Sequence, residues 1–231
     1  MTACLFKNAI KPEVGSAAWV TLCSAPADKA SLVLQINGSI LNDVALNGSA
    51  RIYDSSADRY SYLVREAPIP QGDAIRLIDQ AKIVLEANDR IEVLCNTPDK
   101  QIDFIGSFIE DINDSTSGFA LGEYKNAVLS VVGNDWTDLY VAPSDMTTFV
   151  LQINAANTSN SGVQISVRIY DSSEALWATV LDSAQIPVAD AIRLIDHSKI
   201  VLEPGDRIQV KCTTAGAVDV VASLIEDVNR G

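Results

Sequence analysis

At 231 residues and 24.8 kDa, with 48% apolar residues, the chain has material for one large domain or two of about 115 residues each. Seventeen basic residues against thirty acidic ones give a net charge of −13, which argues against a general binder of nucleic-acid backbones, since such proteins present lysine- and arginine-rich faces. No apolar run approaches the roughly 18 residues that span a bilayer, and residues 1–20 show no basic start followed by an apolar stretch, so neither a membrane segment nor a secretory signal is read.

Strands are expected around residues 17–23, 31–37, 50–54, 60–66, 74–78, 82–86, 90–96 and 101–110, with turn signals between them. Residues 75–78 also fit one helical turn, but their β-branched side chains and brevity favour a strand. Glu86-Ala87-Asn88-Asp89 reads as a turn. In Arg90-Ile91-Glu92-Val93-Leu94-Cys95 a period of two puts Ile91, Val93 and Cys95 on one face and Arg90 and Glu92 on the other. Seven or eight short antiparallel strands in about 110 residues describe a β-sandwich or jelly roll.

The same series then repeats. Arg51–Ser56 recurs as Arg168–Ser173, Asp73–Asp79 as Asp190–Asp196, and Lys82–Glu86 as Lys199–Glu203, always 117 positions later. Residues 51–95 and 168–212 share 26 of 45 positions without a gap. Val33–Asn37 matches Val150–Asn154, Trp19 matches Trp136, and Phe6–Ala9 echoes Tyr124–Ala127. The second copy of the turn is Glu203-Pro204-Gly205-Asp206. Proline then glycine suits a type II turn, and Asn88 stands in for Gly205 because asparagine tolerates positive φ. A unit of this length closes its own core, unlike a solenoid repeat of roughly 20–50 residues. The chain therefore reads as all-β, with two tandem antiparallel β-sandwich (jelly-roll-like) domains at 1–116 and 117–231. Asp114-Ser115-Thr116-Ser117-Gly118 forms the boundary.

Neither copy carries a catalytic pattern. A glycine-rich phosphate loop, H-E-x-x-H and G-x-S-x-G are all absent, so no catalytic residue, cofactor or metal site is assigned and the chain is read as a non-enzyme. The single histidine, His197, stands where the first copy has Gln80 and reads as a surface turn residue. Acidic residues kept in both copies are Asp54/Asp171, Asp73/Asp190, Asp79/Asp196, Glu86/Glu203 and Asp89/Asp206. Such residues serve calcium sites and glycoside hydrolysis, but Arg76/Arg193, Lys82/Lys199 and Arg90/Arg207 lie close by, and surface pairing and turn capping explain the set more simply. Cys95 and Cys212 hold equivalent inward positions and read as small core residues. Cys4 and Cys23 have no counterparts, so reduced thiols are expected, with Cys4 open to crosslinking subunits. Trp19 and Trp136 read as a shared core pair. Tyr60/Trp177 with Tyr53/Tyr170 form the one candidate interface or glycan-stacking platform.

One part of the chain carries a resemblance. It runs from Ala184-Gln185-Ile186-Pro187-Val188-Ala189 through Lys199-Ile200-Val201-Leu202-Glu203-Pro204-Gly205-Asp206-Arg207-Ile208 to the closing strand Val218-Asp219-Val220-Val221-Ala222-Ser223-Leu224-Ile225-Glu226. This order resembles small β-sandwich proteins of tailed-bacteriophage virions, of neck, collar, tail or decoration type. It covers less than half of each unit and includes no catalytic residue. The resemblance implies a structural role in the virion, synthesis in the host cytoplasm, no cofactor, other virion proteins as partners, and homo-oligomeric assembly without nucleic acid or membrane. A carbohydrate-binding or adhesive module is the second reading. Loops that differ between copies, residues 41–49 against 155–162 and 98–100 against 215–216, are expected to give the two domains unequal roles.

Overall fold

A computed structural model describes residues 5–16, 18–40, 44–71, 73–78, 82–112, 122–130, 132–195 and 200–227. Among them every regular element is a β-strand. The first unit holds β1 (Leu5–Val14), β2 (Val20–Ser24), β3 (Ser31–Ser39), β4 (Leu46–Asp54), β5 (Arg59–Ile69), β6 (Ala74–Ile78), β7 (Ile83–Leu85), β8 (Arg90–Cys95) and β9 (Ile102–Glu110). The second holds β10 (Glu123–Leu129), β11 (Thr137–Val141), β12 (Thr148–Asn157), β13 (Val163–Asp171), β14 (Leu176–Ile186), β15 (Ala191–Ile195), β16 (Ile200–Leu202), β17 (Arg207–Cys212) and β18 (Val218–Glu226).

In each unit the strands are shared between two facing sheets. The first unit has β1-β9-β3-β6, with β7 also on β3, facing β2-β8-β4-β5. The second has β10-β18-β12-β15, with β16 on β12, facing β11-β17-β13-β14. All pairings are antiparallel, and this is the jelly-roll order. The sixth strand of the roll is split into β6 and β7, as the separate expected strands at 74–78 and 82–86 indicate. The strand missing from the sequence reading is β1, whose Phe6, Lys7, Ile10 and Pro12 give no clean alternation.

Period-two patterning places the core. Ile91, Val93 and Cys95 are fully buried, and so are Ile208, Val210 and Cys212 in the second unit. One layer of the core is filled differently in the two copies. The Phe104 ring lies over Gly38 and Gly48, where an added Cβ would come 3.4 and 3.6 Å from it. The register pairs Gly38 with Phe104 and Gly48 with Cys95, and in the second unit Ala155 with Val220 and Ile165 with Cys212. A large residue with two glycines is thus replaced by Val220 with Ala155 and Ile165, so bulk lost at one position is supplied from the other two in a close-packed interior.

The turns follow the sequence. Asn88 and Gly205 have φ of 68° and 86°, and the amides of Asp89 and Asp206 donate to the Glu86 and Glu203 carbonyls at 3.0 Å. The paired acidic residues cap these corners. Asp54 accepts the amides of Ser56 and Ala57, and Asp171 those of Ser173 and Glu174. Asp89 accepts the amides of Ser55 and Glu86, and Asp206 those of Ser172 and Glu203.

Three expectations change. Trp19 and Trp136 are half-buried and stand outside the core. Much of the segments read as variable loops is strand, since β4 begins at Leu46 and β12 runs to Asn157. Asp99 and Gly216 both have positive φ, so the 98–100 and 215–216 stretches share a tight turn despite different residues. Cys23, Cys95 and Cys212 are free and buried. Burial pushes the Cys23 thiol up to about 12 and raises those of Cys95 and Cys212. The boundary at 116/117 and residues Cys4, Asp79, Gln80, Asp196, His197 and Lys199 lie outside the described residues.

Candidate functional site

The four aromatic residues singled out by sequence fall on the outer face of the four-stranded sheet in each unit. Alternation makes this necessary. Arg51 and Tyr53 are two apart on β4, opposite to inward Ile52, and the register sets Tyr53 against Tyr60 and Arg90, and Arg51 against Tyr62 and Glu92. Tyr53 and Tyr60 lie 4.8 Å apart between centroids, and Tyr170 and Trp177 lie 4.7 Å apart.

Arginines stack between the rings. The Arg51 guanidinium sits 4.1 Å from the Trp19 ring and 3.9 Å from Tyr60, and Arg90 sits 3.8 Å from Tyr53. In the second unit Arg168 sits 4.2 Å from Trp136 and 3.8 Å from Trp177, while Lys211 lies 4.7 Å from Trp136. Glu92 anchors the first ladder through Arg51 at 2.6 Å and Arg90 at 2.7 Å. Burial works against the ionisation of Glu92, but these two arginine bonds outweigh it and hold the carboxyl below its ordinary value. Gln209 takes the place of Glu92 in the second unit, bonding Arg168 and donating to Asp138 at 2.7 Å. Cation–π contacts of this kind contribute about 0.5–1 kcal/mol at exposed sites. The stacked guanidinium covers one face of each of Tyr60 and Trp177, which narrows the ring surface left for a sugar.

A second constellation escaped the sequence reading. The outer face of the β10-β18-β12 sheet is covered by β5 and β7 of the first unit. Polar side chains of the second unit meet main-chain groups of the first. Asp219 accepts the Tyr62 amide at 2.8 Å, Gln152 the Lys82 amide at 2.9 Å, and Ser223 the Val84 amide at 3.1 Å. Asn154 donates to the Leu63 carbonyl and Asn126 to the Val84 carbonyl, both at 3.1 Å. Arg65 donates to the Thr158 carbonyl, and Lys125 pairs with Glu86 at 3.6 Å. Apolar residues close the seam: Val128 and Val221 join the first unit's core, and Tyr124 and Ile225 pack with Val84 and Ile109. Burial raises the carboxyls of Glu86 and Asp89 above their ordinary values.

The signal for this seam is present in β18. Val218 to Ile225 run without polar alternation apart from Asp219 and Ser223, and all eight are buried, which marks a strand covered on both faces. A cleft of about 440 Å³ lies along the seam, lined by Val64, Ile75, Arg76, Asn154, Asp190 and Arg193 among others. Among the described residues no group of three or more histidine, cysteine, aspartate or glutamate side chains is arranged to hold a metal ion.

No protein-family model matches the chain, and no curated protein matches it in sequence. Solved structures do. A chain of the Sulfolobus turreted icosahedral virus is similar at 8% identity and a TM-score of 0.29, over 96% of this chain and 59% of its own. This chain therefore spans about three fifths of that viral protein. A chain of the IBDV viral particle is similar at 7% identity and a TM-score of 0.33, over 97% and 69% of the two lengths. The tandem CBM22 domain of a Paenibacillus barcinonensis protein is similar at 10% identity and a TM-score of 0.28, over 96% and 92%. These likenesses concern the fold alone, and the jelly-roll assignment rests on the strand order of the chain itself.

Proposed function

We propose that this chain is a non-enzymatic structural component of a tailed-phage virion, at the neck, collar or tail surface, made in the host cytoplasm and assembled as a symmetric homo-oligomer with other virion proteins as partners. The observation that carries the reading is where the retained polar residues are used. The aspartates shared by both units cap turns, the arginines stack in ladders, and the polar face of the second unit is taken up by the first. The segments that resemble virion proteins run from the end of β14 through β16 and β17 to β18, and β18 is one of the strands that carry the second unit's side of the seam. Buried free thiols suit synthesis in a reducing compartment.

Antibody labelling of purified particles tests this. Gold is expected at one end of the particle, at the neck or along the tail, and a chain absent from purified particles would count against the role. The second reading, a carbohydrate-binding or adhesive module, draws on the exposed Trp177 ring beside Tyr170. Glycan-array binding that vanishes in Trp177→Ala while assembly persists would replace the structural reading with that one.

A further inference from the structure

Each half of the seam recurs, uncovered, on the outside of the molecule. The half built from β10, β18 and β12 has its counterpart in β1, β9 and β3. Strand register makes Asn8, Gln35, Asn37 and Ser107 the equivalents of Asn126, Gln152, Asn154 and Ser223, with the same residue type at all four positions. The apolar neighbours recur as well, with Ile10 for Val128, Ile105 for Val221 and Phe6 for Tyr124. Burial separates the copies. Val128 and Val221 are 8% and 2% exposed, whereas Ile10 and Ile105 are 57% and 40% exposed.

The half built from β5 and β7 has its counterpart in β14 and β16. Val84 is 0% exposed and its equivalent Val201 is 52% exposed; Leu63 is 1% exposed and its equivalent Val180 is 37%. Leu176 and Trp177 at the start of β14 are exposed too. Single exposed apolar side chains are ordinary, but contiguous ones mark an interaction surface. Here they collect on the two surfaces that copy the two halves of a contact already buried within the chain.

The chemistry of the seam carries over. The first unit enters it through the amides of Tyr62 and Val84 and the carbonyls of Leu63 and Val84. Main-chain groups at Thr179, Val180 and Val201 offer the same donors and acceptors whatever the side chains. Charge matches as well: Lys125 faces Glu86 across the seam, and the equivalents are Lys7 and Glu203. Three positions differ: Asp103, the equivalent of Asp219, accepts the Glu13 amide, Asp182 stands in place of Arg65, and Lys7 already pairs with Glu110 at 2.6 Å.

We infer that β14 and β16 of one copy dock on the outer β1-β9-β3 face of a second copy, repeating between chains the contact made within each. The occupant of both surfaces is thus another molecule of this chain. The two surfaces differ, so the contact is heterologous and joins chains head to tail. The inference rests on the reading of the chain as a self-assembling structural protein and names the contact by which it assembles.

Two charge substitutions at exposed positions test it. Ile105→Glu spoils one surface and Val201→Glu the other, with folding checked by circular dichroism. Size-exclusion chromatography with light scattering should show wild-type oligomers and a monomer for each variant alone. An equal mixture of the two variants should give a one-to-one dimer, because one working surface remains on each chain. Variants that assemble like wild type overturn this contact while leaving self-assembly intact. A mixture that stays monomeric, or a wild-type chain that is monomeric at every concentration, also overturns it. Loss of the chain from particles would instead bear on the virion role. A second readout does not depend on the glutamate variants folding. With Cys4→Ser as background, Val201→Cys with Ser107→Cys should give a disulfide-linked ladder on oxidation, whereas Val84→Cys with Ser223→Cys, refolded under oxidising conditions, should crosslink within one chain. Absence of the ladder alongside the internal crosslink overturns the inference.

Discussion

The amide of Val84 donates to the hydroxyl of Ser223 at 3.1 Å, joining two residues 139 positions apart in the heart of the seam. Both are almost fully buried, so removing the hydroxyl leaves an amide without a partner or water. Ser223→Ala is expected to cost about 1–3 kcal/mol. Ser107→Ala, the outward equivalent, is expected to stay within about 0.5 kcal/mol in the unassembled chain. Urea denaturation of the two variants side by side checks the contrast, and equal losses would contradict the buried role of Ser223.

The exchange of Phe104, Gly38 and Gly48 for Val220, Ala155 and Ile165 predicts a compensating pair. Phe104→Val opens a cavity and is expected to cost about 2 kcal/mol or more. Gly48→Ile overpacks the wild-type core, because an added Cβ already meets Ile69 at 3.3 Å and Ile102 at 3.4 Å, and should cost about 1–3 kcal/mol. Together the two changes should recover at least about 1 kcal/mol of the summed loss. A double-mutant cycle in thermal denaturation measures that coupling, and strict additivity would show that the two positions do not compensate for one another.

Glu86 supplies a pH signature. Its carboxyl is raised by burial, so the folded chain holds this proton more tightly than the unfolded chain. Stability from this group is present below its ordinary value of 4.5 and is lost as pH rises through the folded value. Glu86→Gln removes the titration and keeps an oxygen for the Asn126 amide, which donates to Glu86 Oε1 at 2.9 Å. The stability of wild type relative to this variant should therefore rise as pH falls from about 7 toward about 5. Glu92 works in the opposite sense, its contribution present at neutral pH and lost only as pH falls through its lowered folded value. Melting temperatures of wild type and variant across this range settle the slope, and a flat or reversed difference would mean that Glu86 is not held in a buried setting.

Most of the fold is legible in the residues. Duplication at a constant offset, period-two alternation in Arg90–Cys95 and Arg207–Cys212, and the Asn88/Gly205 exchange point to the strands, their inward faces and their turns. Of the aromatic set, Tyr53 meets Tyr60 on one unit and Tyr170 meets Trp177 on the other, each as a directly opposite cross-strand pair. The stacked arginines were less legible: Arg51 and Arg168 look like ordinary outward charges until cross-strand register sets them between rings. Trp19 and Trp136 were misread for the same reason, since a tryptophan matched in both copies fits a core position as well as a stacking one. Beyond the apolar run of β18, the seam is hidden because it depends on how two rolls meet. Gln152, Asn154 and Ser223 have the same residue types as their outward equivalents, so comparing the copies conceals which set is buried.

The seam is also uneven in kind: apart from Arg59, Arg65, Glu86 and Asp89, the first unit meets it with main-chain groups, and the second unit answers with side chains. That has an evolutionary consequence. Amides and carbonyls do not change when a codon does, so β5 and β14 are free to drift in sequence while keeping their hydrogen-bonding groups. The opposite face has no such freedom, because losing Gln152, Asn154 or Ser223 removes the partner itself. The drift is visible within this one chain: Arg59–Glu66 and Leu176–Ser183 share no residue at matched positions, while Asn8, Gln35, Asn37 and Ser107 all persist in the second copy. Relatives of this chain should diverge fastest along β5 and β14 and slowest at those four positions and their equivalents.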